Sequence, residues 1–201
     1  MTVHRKTQIW AITALLSLSF FASKAQWTPG RYMRQAMTNT LVKSQIMTSS
    51  SSTLGYKEGL CFLGGYLTQS SELGWTLTLN AGTKYTFVGG GDSDAIDVDL
   101  RITNSYGTTV VQDNQTDITP IVSITPTYTA QYTIYMKLYS CTTRGSFCAL
   151  SILQNGGYNI STSRLDESID NIMEMGSNIN NRQNTYFISN QWSLFGGLFS
   201  S

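Results

Sequence analysis

Six aspartates that lie close together in this chain of 201 residues are the side chains best suited to chemistry. Four of them fall in the stretch GGGDSDAIDVDL. With one neighbouring amide, the candidate metal ligands are Asp92, Asp94, Asp97, Asp99, Asp113, Asn114 and Asp117. Between residues 85 and 136 the only cationic side chain is Arg101, so the local formal charge is about −5. Calcium suits such a site because it accepts roughly six to eight oxygen ligands in loose geometry.

The same aspartates have two further interpretations. Aspartate is favoured in turns because its carboxylate accepts hydrogen bonds from nearby backbone, so these residues also fit a solvated acidic rim without a ligand. The third interpretation is a pair of catalytic carboxyls facing one another across a cleft, as in glycoside hydrolases. The spacing D-x-D-x-x-D-x-D is not that of an EF-hand loop. The sequence alone leaves all three interpretations open.

The N-terminus has the pattern of an export signal. Basic residues at positions 4–6 precede an apolar run over residues 9–22, and small residues follow before Gln26. The run is too short for a membrane span, so we expect a cleaved signal peptide over residues 1–25 and a secreted, periplasmic or cell-surface protein. The only histidine, His4, lies in this segment. The mature chain therefore has no histidine for a Ser-His-Asp or Cys-His nucleophile or for a zinc site.

Cleavage also changes the charge of the protein. The segment contains three basic residues and no acid, so the formal charge moves from +1 to about −2. The remaining lysines and arginines are scattered singly along the chain. We therefore expect no nucleic-acid partner, because a basic patch is the usual footprint of such binding.

Three cysteines remain in the exported part, where disulfides persist. Cys141 and Cys148 flank TTRGSF between two alternating apolar runs. This arrangement predicts a cross-hairpin disulfide that stabilises the fold by roughly 2 to 3 kcal/mol through loop-closure entropy. Cys61 is then unmatched, and we expect it to be a small buried hydrophobe.

Apolar and polar residues alternate through the middle of the chain, which is typical of β-strands. We expect these strands to position the aspartates. The predicted strands are residues 61–67, 74–79, 84–88, 96–103, 108–112, 121–124, 131–139 and 147–153. About eight antiparallel strands in one block predict a mainly β protein, a jelly-roll-type sandwich with flanking N- and C-terminal helices. An immunoglobulin-like strand order is an alternative.

The predicted domain organisation has four parts. The signal peptide is followed by a helix over residues 29–47 and a serine-rich hinge, together 26–59. The sandwich covers 60–158. Residues 159–201 contain a second helix, from Ser163 to near Gly176, and an uncharged tail. The apolar side chains of that tail are Phe187, Trp192, Leu194, Phe195, Leu198 and Phe199. We expect the tail to dock on the sandwich, with an exposed partner-binding or membrane-touching tail as the alternative.

Alternation also orients the residues of the aspartate-rich strand. Val98, Leu100 and Ile102 are expected to face the core, which turns Asp97 and Asp99 towards water or a ligand. The turn NSYG then folds the next strand back, so the loops before and after this hairpin converge at one rim. Several tyrosines and one tryptophan are candidates for stacking on sugar rings, but their alternation along strands is more typical of strand packing. They are Trp75, Tyr128, Tyr132, Tyr135 and Tyr139.

Four motifs from Leu79 to Leu138 occur in the order LNAGTKYTF, DVDLRITNSYG, VVQDNQTDITPIVSI and YTAQYTIYMKL. This succession resembles the bacterial pre-peptidase C-terminal domain, a jelly-roll module of secreted proteases and other exported proteins. The resemblance implies a non-catalytic sandwich. Related collagen-binding sandwiches hold calcium through acids on a preceding linker, and this chain has no such acids before Glu58.

Together these features predict a secreted, non-catalytic binding or structural module, with calcium at the acidic rim as a candidate stabilising ion. Its expected partner is a separate extracellular or periplasmic protein or a polysaccharide. One alternative is a membrane-active or assembly protein that acts through the apolar tail. A second alternative is a secreted hydrolase that uses aspartates.

Overall fold

The computed structural model describes residues 31–183 and 194–198. The predicted signal peptide, the start of the first helix and the tail residues Phe187, Trp192 and Phe199 lie outside the described residues. Within them, helix α1 spans Arg31–Ser49 and helix α2 spans Thr162–Gln183. The strands are β1 Leu54–Tyr56, β2 Gly59–Thr68, β3 Glu72–Leu79, β4 Tyr85–Gly91, β5 Ala95–Thr103, β6 Thr109–Gln112, β7 Ile121–Ile124, β8 Ala130–Cys141, β9 Gly145–Asn155 and β10 Leu194–Leu198.

All eight predicted strands are present, as β2 to β9, and the mainly β class with flanking helices is confirmed. The strands form two antiparallel sheets. The six-stranded sheet has the order β10-β2-β9-β4-β7, with β1 also paired to β9, and the four-stranded sheet has the order β3-β8-β5-β6. Most consecutive strands belong to different sheets, so the chain crosses the sandwich repeatedly. The hairpin of β5 and β6 is confirmed, with Ile102 opposite Val111.

The main core lies between the two sheets. Val98, Leu100 and Ile102 of β5 are fully buried there, as their alternation predicts. The facing six-stranded sheet contributes Leu63, Phe87, Leu150 and Ile152, and the neighbouring strand β8 contributes Ile134, Met136 and Leu138. Removal of this apolar surface from water is the main stabilising contribution to the sandwich.

A second core lies on the outer face of the six-stranded sheet, where α1 packs. The buried residues of α1 recur at helical spacing and are Met33, Ala36, Met37, Thr40, Leu41 and Ser44. They contact apolar residues of the sheet that include Val88 and Ala149, and α2 adds Ile169 and Met173. The helix before the serine-rich segment is therefore packed on the sandwich.

The three glycines that open the aspartate-rich stretch form the end of β4, where the sequence predicts a loop. All three are buried. A Cβ atom on Gly90 would lie 2.9 Å from the carbonyl oxygen of Ala36, so the glycine permits close approach of α1 to the strand. Asn39 of the same helix donates to the carbonyl oxygen of Gly91 at 2.8 Å. The packing of the predicted helix on these glycines is a tertiary contact, which the local pattern of residues 89–91 does not show.

The C-terminal helix is longer than predicted, since it continues past Gly176 to Gln183. An ion-pair cluster ties it to α1. Arg34 of α1 donates to Asp170 at 3.0 Å and to Asp166 at 3.2 Å. These charges are partly exposed, so the cluster contributes orientation more than stability.

Part of the tail docks on the sandwich as the edge strand β10, which pairs with β2. Phe195 of this strand is 62% exposed. Among the described residues, no helix combines the length and the apolar character that a membrane span requires.

Candidate functional site

Asp92 is a buried structural residue. It lies just after β4 and is 1% exposed. Its carboxylate accepts hydrogen bonds from the backbone N–H of Phe147 at 2.9 Å, the hydroxyl of Ser146 at 2.6 Å and the backbone N–H of Asp94 at 2.8 Å. Both carboxylate oxygens are thus engaged, and the loop after β4 is fastened to the start of β9. A buried carboxylate with charge-assisted partners of this kind is strongly stabilised.

The loop from 113 to 120 is organised by two more aspartates. Asp113 accepts from the backbone N–H groups of Gln115 and Ile121, each at 3.0 Å. Asp117 accepts from the N–H of Thr119 at 2.6 Å. The contacts with Gln115 and Thr119 are the local turn hydrogen bonds that aspartate favours, and the contact with Ile121 closes the loop over eight residues. The predicted convergence of the two loops is confirmed, because the N–H of Gly91 donates to the carbonyl of Ile118 at 2.9 Å.

Asp97 does not face water as alternation predicts. The pairing of β5 with β8 shifts register on both sides of Asp97, and such a bulge places consecutive residues on the same face. The side chain is only 7% exposed, and its Oδ1 has no hydrogen-bond partner among the described residues. Burial raises the pKa of this carboxyl, a backbone hydrogen bond from Asp117 lowers it, and the charges of Asp117 and Asp113 raise it further.

The side chains of the remaining candidates take no part in the described hydrogen bonds of the Asp92 carboxylate. Asp94 accepts through its carbonyl from the N–H of Thr142 at 2.8 Å. Asp99 lies on the outer face of the four-stranded sheet, where burial and then the charge of Asp97 raise its pKa while Lys137 lowers it. Asn114 lines the same part of that face. The seven candidate ligands are therefore divided among three places: the loop after β4 with the buried contact between Asp92 and β9, the loop from 113 to 120, and the strands of the four-stranded sheet.

Two features of this arrangement disfavour a calcium site at these residues. In the described part of the chain, which includes all seven candidates, no three acidic, cysteine or histidine side chains are grouped to hold a metal. Asp92 and Asp113 use both of their oxygens on donors of the protein. Calcium binding stays a prediction from the sequence, and its test is given in the Discussion.

The predicted cross-hairpin disulfide is not present. Cys141 and Cys148 are not joined to each other, and the predicted hairpin is absent as well, since β8 and β9 lie in different sheets. The thiol of Cys141 donates to the carbonyl of Thr143 at 3.0 Å. Cys148 is fully buried, and burial raises the pKa of its thiol well above the usual range. Cys61 is buried, as expected, in the core beneath α1.

The two sheets differ in what covers them. Helix α1 packs on β2, β4 and β9, which belong to the six-stranded sheet. The outer face of the four-stranded sheet is instead exposed along its length, at Glu72, Thr76, Thr78, Gln131 and Tyr139. We call this surface the open face. Its residues form rows across the strands, because Glu72 is opposite Lys137 and Lys137 is opposite Asp99 in the register.

A polar recess of about 230 Å³ lies in the open face. We call it the open-face recess; its lining includes Glu72, Asp99, Arg101, residues 112–114, Tyr135 and Lys137. Arg101 is held over the ring of Tyr135 at 4.2 Å and donates to both carboxylate oxygens of Glu72 at 3.0 and 3.1 Å. A stacked and ion-paired arginine loses little further freedom on binding a ligand, so this wall of the recess is preorganised.

The candidate aromatic residues lie in different environments. Tyr132 is in the core and Trp75 packs against it, as strand packing predicts. Tyr135 lies under Arg101 and beside Gly74, where a Cβ atom would be 2.8 Å from the tyrosine ring. Tyr139 is 56% exposed next to the recess, with the ammonium of Lys137 at 4.9 Å from its ring centroid. One aromatic side chain therefore remains available beside the recess.

Sequence reasoning missed Arg101, Lys137 and Glu72 as candidate residues. Arg101 could have been recognised from the sequence, because it is the only basic residue among the six aspartates. Glu72 and Lys137 come from strands far apart in sequence, and only the pairing of β3, β8 and β5 brings them together.

No protein-family model and no curated protein matches the sequence. The solved structures that are similar to part of it include the following two. One is the periplasmic lysozyme inhibitor PliG of Aeromonas hydrophila, an inhibitor of g-type lysozyme, at 15% identity and a TM-score of 0.36, covering 49% of this chain and 86% of that one. The other is the pre-peptidase C-terminal domain of a collagenase from Bacillus anthracis, at 12% identity and a TM-score of 0.36, covering 49% and 92%. The second belongs to the family that the four sequence motifs resemble.

Proposed function

We propose that this protein is a non-catalytic binding module that acts outside the cytoplasm and contacts a separate protein or surface polymer through the open face. The observation that carries the proposal is the asymmetry of the sandwich. Helices pack on the six-stranded sheet, whereas the four-stranded sheet presents exposed rows of threonine, tyrosine and charged side chains around a recess. A recess in which a few polar groups converge beside a preorganised wall has features of a ligand-binding site.

The carboxylates support binding rather than hydrolysis. A carboxyl pair that catalyses hydrolysis must face the substrate with its oxygens available. Asp92 and Asp113 instead hold backbone amides with both oxygens, and Asp92 is buried. The only histidine lies in the predicted signal peptide, so the usual general base is not in the exported chain.

The alternative function, assembly or membrane contact through the C-terminal tail, has less structural support than binding through the open face. Its described part, β10, is paired with β2 inside the same chain. The backbone hydrogen bonds of β2 on that side are therefore already made, which leaves the open face as the better candidate surface.

Co-sedimentation of the exported protein with purified peptidoglycan and envelope fragments of a Gram-negative bacterium tests the proposal. Thr76→Trp adds bulk at an exposed position of the open face on the edge strand β3, and Val42→Trp adds similar bulk to the exposed side of α1. We expect binding by the wild type and by Val42→Trp, and at least about tenfold weaker binding by Thr76→Trp. Equal binding by Thr76→Trp and the wild type, or no binding by the wild type to any fraction, would overturn the proposal.

A further inference from the structure

The charges of the open-face recess are almost balanced. Arg101 and Glu72 neutralise each other through their ion pair. Asp99 and Lys137 face the same recess with opposite charges, and Lys137 acts on Asp99 through its charge. Asp113 adds a carboxylate whose two oxygens already accept from backbone amides. The recess therefore has no excess of available charge with which to select a strongly anionic or cationic ligand.

Its available polar groups include both donors and acceptors. Among the described residues, the side chains of Asp99, Gln112, Asn114 and Lys137 form no hydrogen bond with one another or with other protein groups. The carboxylate accepts, the ammonium donates, and each amide does both. A ligand that satisfies them must itself carry many groups that donate and accept at once, which is the property of a polyhydroxylated ring.

The size and surroundings of the recess fit such a ring. Its volume of about 230 Å³ is below the ~300 Å³ at which pockets for drug-sized ligands begin. Tyr139, which is exposed beside it, offers an apolar ring surface against which the C–H groups of a sugar can pack. The recess also lies on an exposed sheet face, so a polymer chain can continue past it in both directions.

We propose that the open-face recess binds one ring of a neutral saccharide chain, with Asp99, Lys137 and the amides of Gln112 and Asn114 as hydrogen-bonding partners. This inference rests on the proposed function, because it names the ligand class of the same face.

Titration of the exported protein with neutral oligosaccharides, followed by nuclear magnetic resonance, tests the inference. The probes are hexamers of β-1,4-glucose, β-1,3-glucose, α-1,4-glucose and N-acetylglucosamine, with polygalacturonate, chitosan oligomers and calcium chloride as charged comparisons. We expect one neutral series to bind with a dissociation constant on the order of 1 mM or lower. Chemical-shift changes should centre on residues 99–101, 112–114 and 135–139.

Matched variants distinguish binding in the open-face recess from nonspecific contact with the rest of the open face. Asp99→Asn and Lys137→Gln remove the two available charges at similar volume, and Thr78→Ala lies on the same open face outside the recess. We expect Asp99→Asn and Lys137→Gln each to weaken the neutral saccharide by roughly tenfold, and Thr78→Ala to bind as the wild type does. Shift changes in the wild type that centre elsewhere would overturn the inference even if a variant failed to fold.

Two results distinguish the inference from the proposed function. If no neutral saccharide binds, or if a charged polymer or calcium binds in preference, the saccharide inference fails. The proposed function survives that result when Thr76→Trp still weakens envelope binding at least about tenfold. If Thr76→Trp leaves envelope binding intact, the proposed function itself fails.

Discussion

Gly90 of β4 lies directly beneath Thr40 of α1, and a Cβ atom on the glycine would be 2.8 Å from the backbone nitrogen of Thr40. The contact is between two backbones, so neither side can move away by rotating a side chain. Helix α1 therefore forms an integral layer of the sandwich.

Gly90→Ala should consequently destabilise the protein by about 2 to 3 kcal/mol, the usual cost of overpacking a closely packed interior. Urea unfolding of the exported protein measures this change. Gly196→Ala is the matched control, because its added methyl group meets Phe62 at an ordinary 3.4 Å. Equal stability of Gly90→Ala and the wild type would contradict the close packing of α1 on β4.

Asp92 and Asp94 are two positions apart but should respond differently to removal of their carboxylates. Asp92→Ala leaves the buried N–H of Phe147 and the hydroxyl of Ser146 without their acceptor, so we expect a loss of about 3 kcal/mol. Asp94→Ala removes only a 3.5 Å contact with the hydroxyl of Thr142 and should cost less than about 0.5 kcal/mol. Urea unfolding compares them, and equal losses would rule out the fastening role of Asp92.

Asp97→Asn should stabilise the protein at neutral pH by about 1 kcal/mol, because it removes a buried charge whose Oδ1 has no partner among the described residues. The pKa of Asp97 is raised in the folded state, chiefly by burial. Ionisation therefore penalises folding above the folded-state pKa, and the penalty disappears below the unfolded-state value near 3.8. The advantage of the variant should shrink as the pH falls through this window. A constant advantage at all pH values would show that the charge is not its cause.

Calcium is tested by thermal unfolding of the exported protein with millimolar calcium and with a chelator. Any ligand that binds only the folded state raises the unfolding midpoint by mass action. Because protein donors already occupy both oxygens of Asp92 and Asp113, we expect the same midpoint in both conditions. An increase with calcium that Asp97→Asn or Asp117→Asn abolishes would instead establish the site predicted from the sequence.

The cysteines can be distinguished by alkylation and mass spectrometry. Cys141 is partly exposed and should react in the native protein, whereas the thiol of Cys148 is fully buried and should react only after unfolding. Resistance of both residues to alkylation even after unfolding, reversed by a reductant, would show that a disulfide joins them.

The strands were predictable because their pattern is local. Alternation of apolar and polar residues reports which face of a strand is buried, and it predicted β2 to β9 and the core positions of Val98, Leu100 and Ile102. The β5–β6 hairpin was predictable for the same reason, since its turn is adjacent in sequence. The predicted hairpin of β8 and β9 was wrong because alternation does not show to which sheet a strand belongs.

The sequence by itself determined the mainly β class, the strands, the concentration of aspartates and the location of the only histidine, since each depends on residue type or short-range spacing. Only the tertiary structure decided what the aspartates do. The donors that engage Asp92 lie 54 and 55 residues away in β9, and the bulge that buries Asp97 depends on its pairing with β8. Likewise, Glu72 meets Arg101 across β8. Hydrogen bonds and ion pairs act over a few ångströms in space, so the assignment of each carboxylate required the folded arrangement of distant strands.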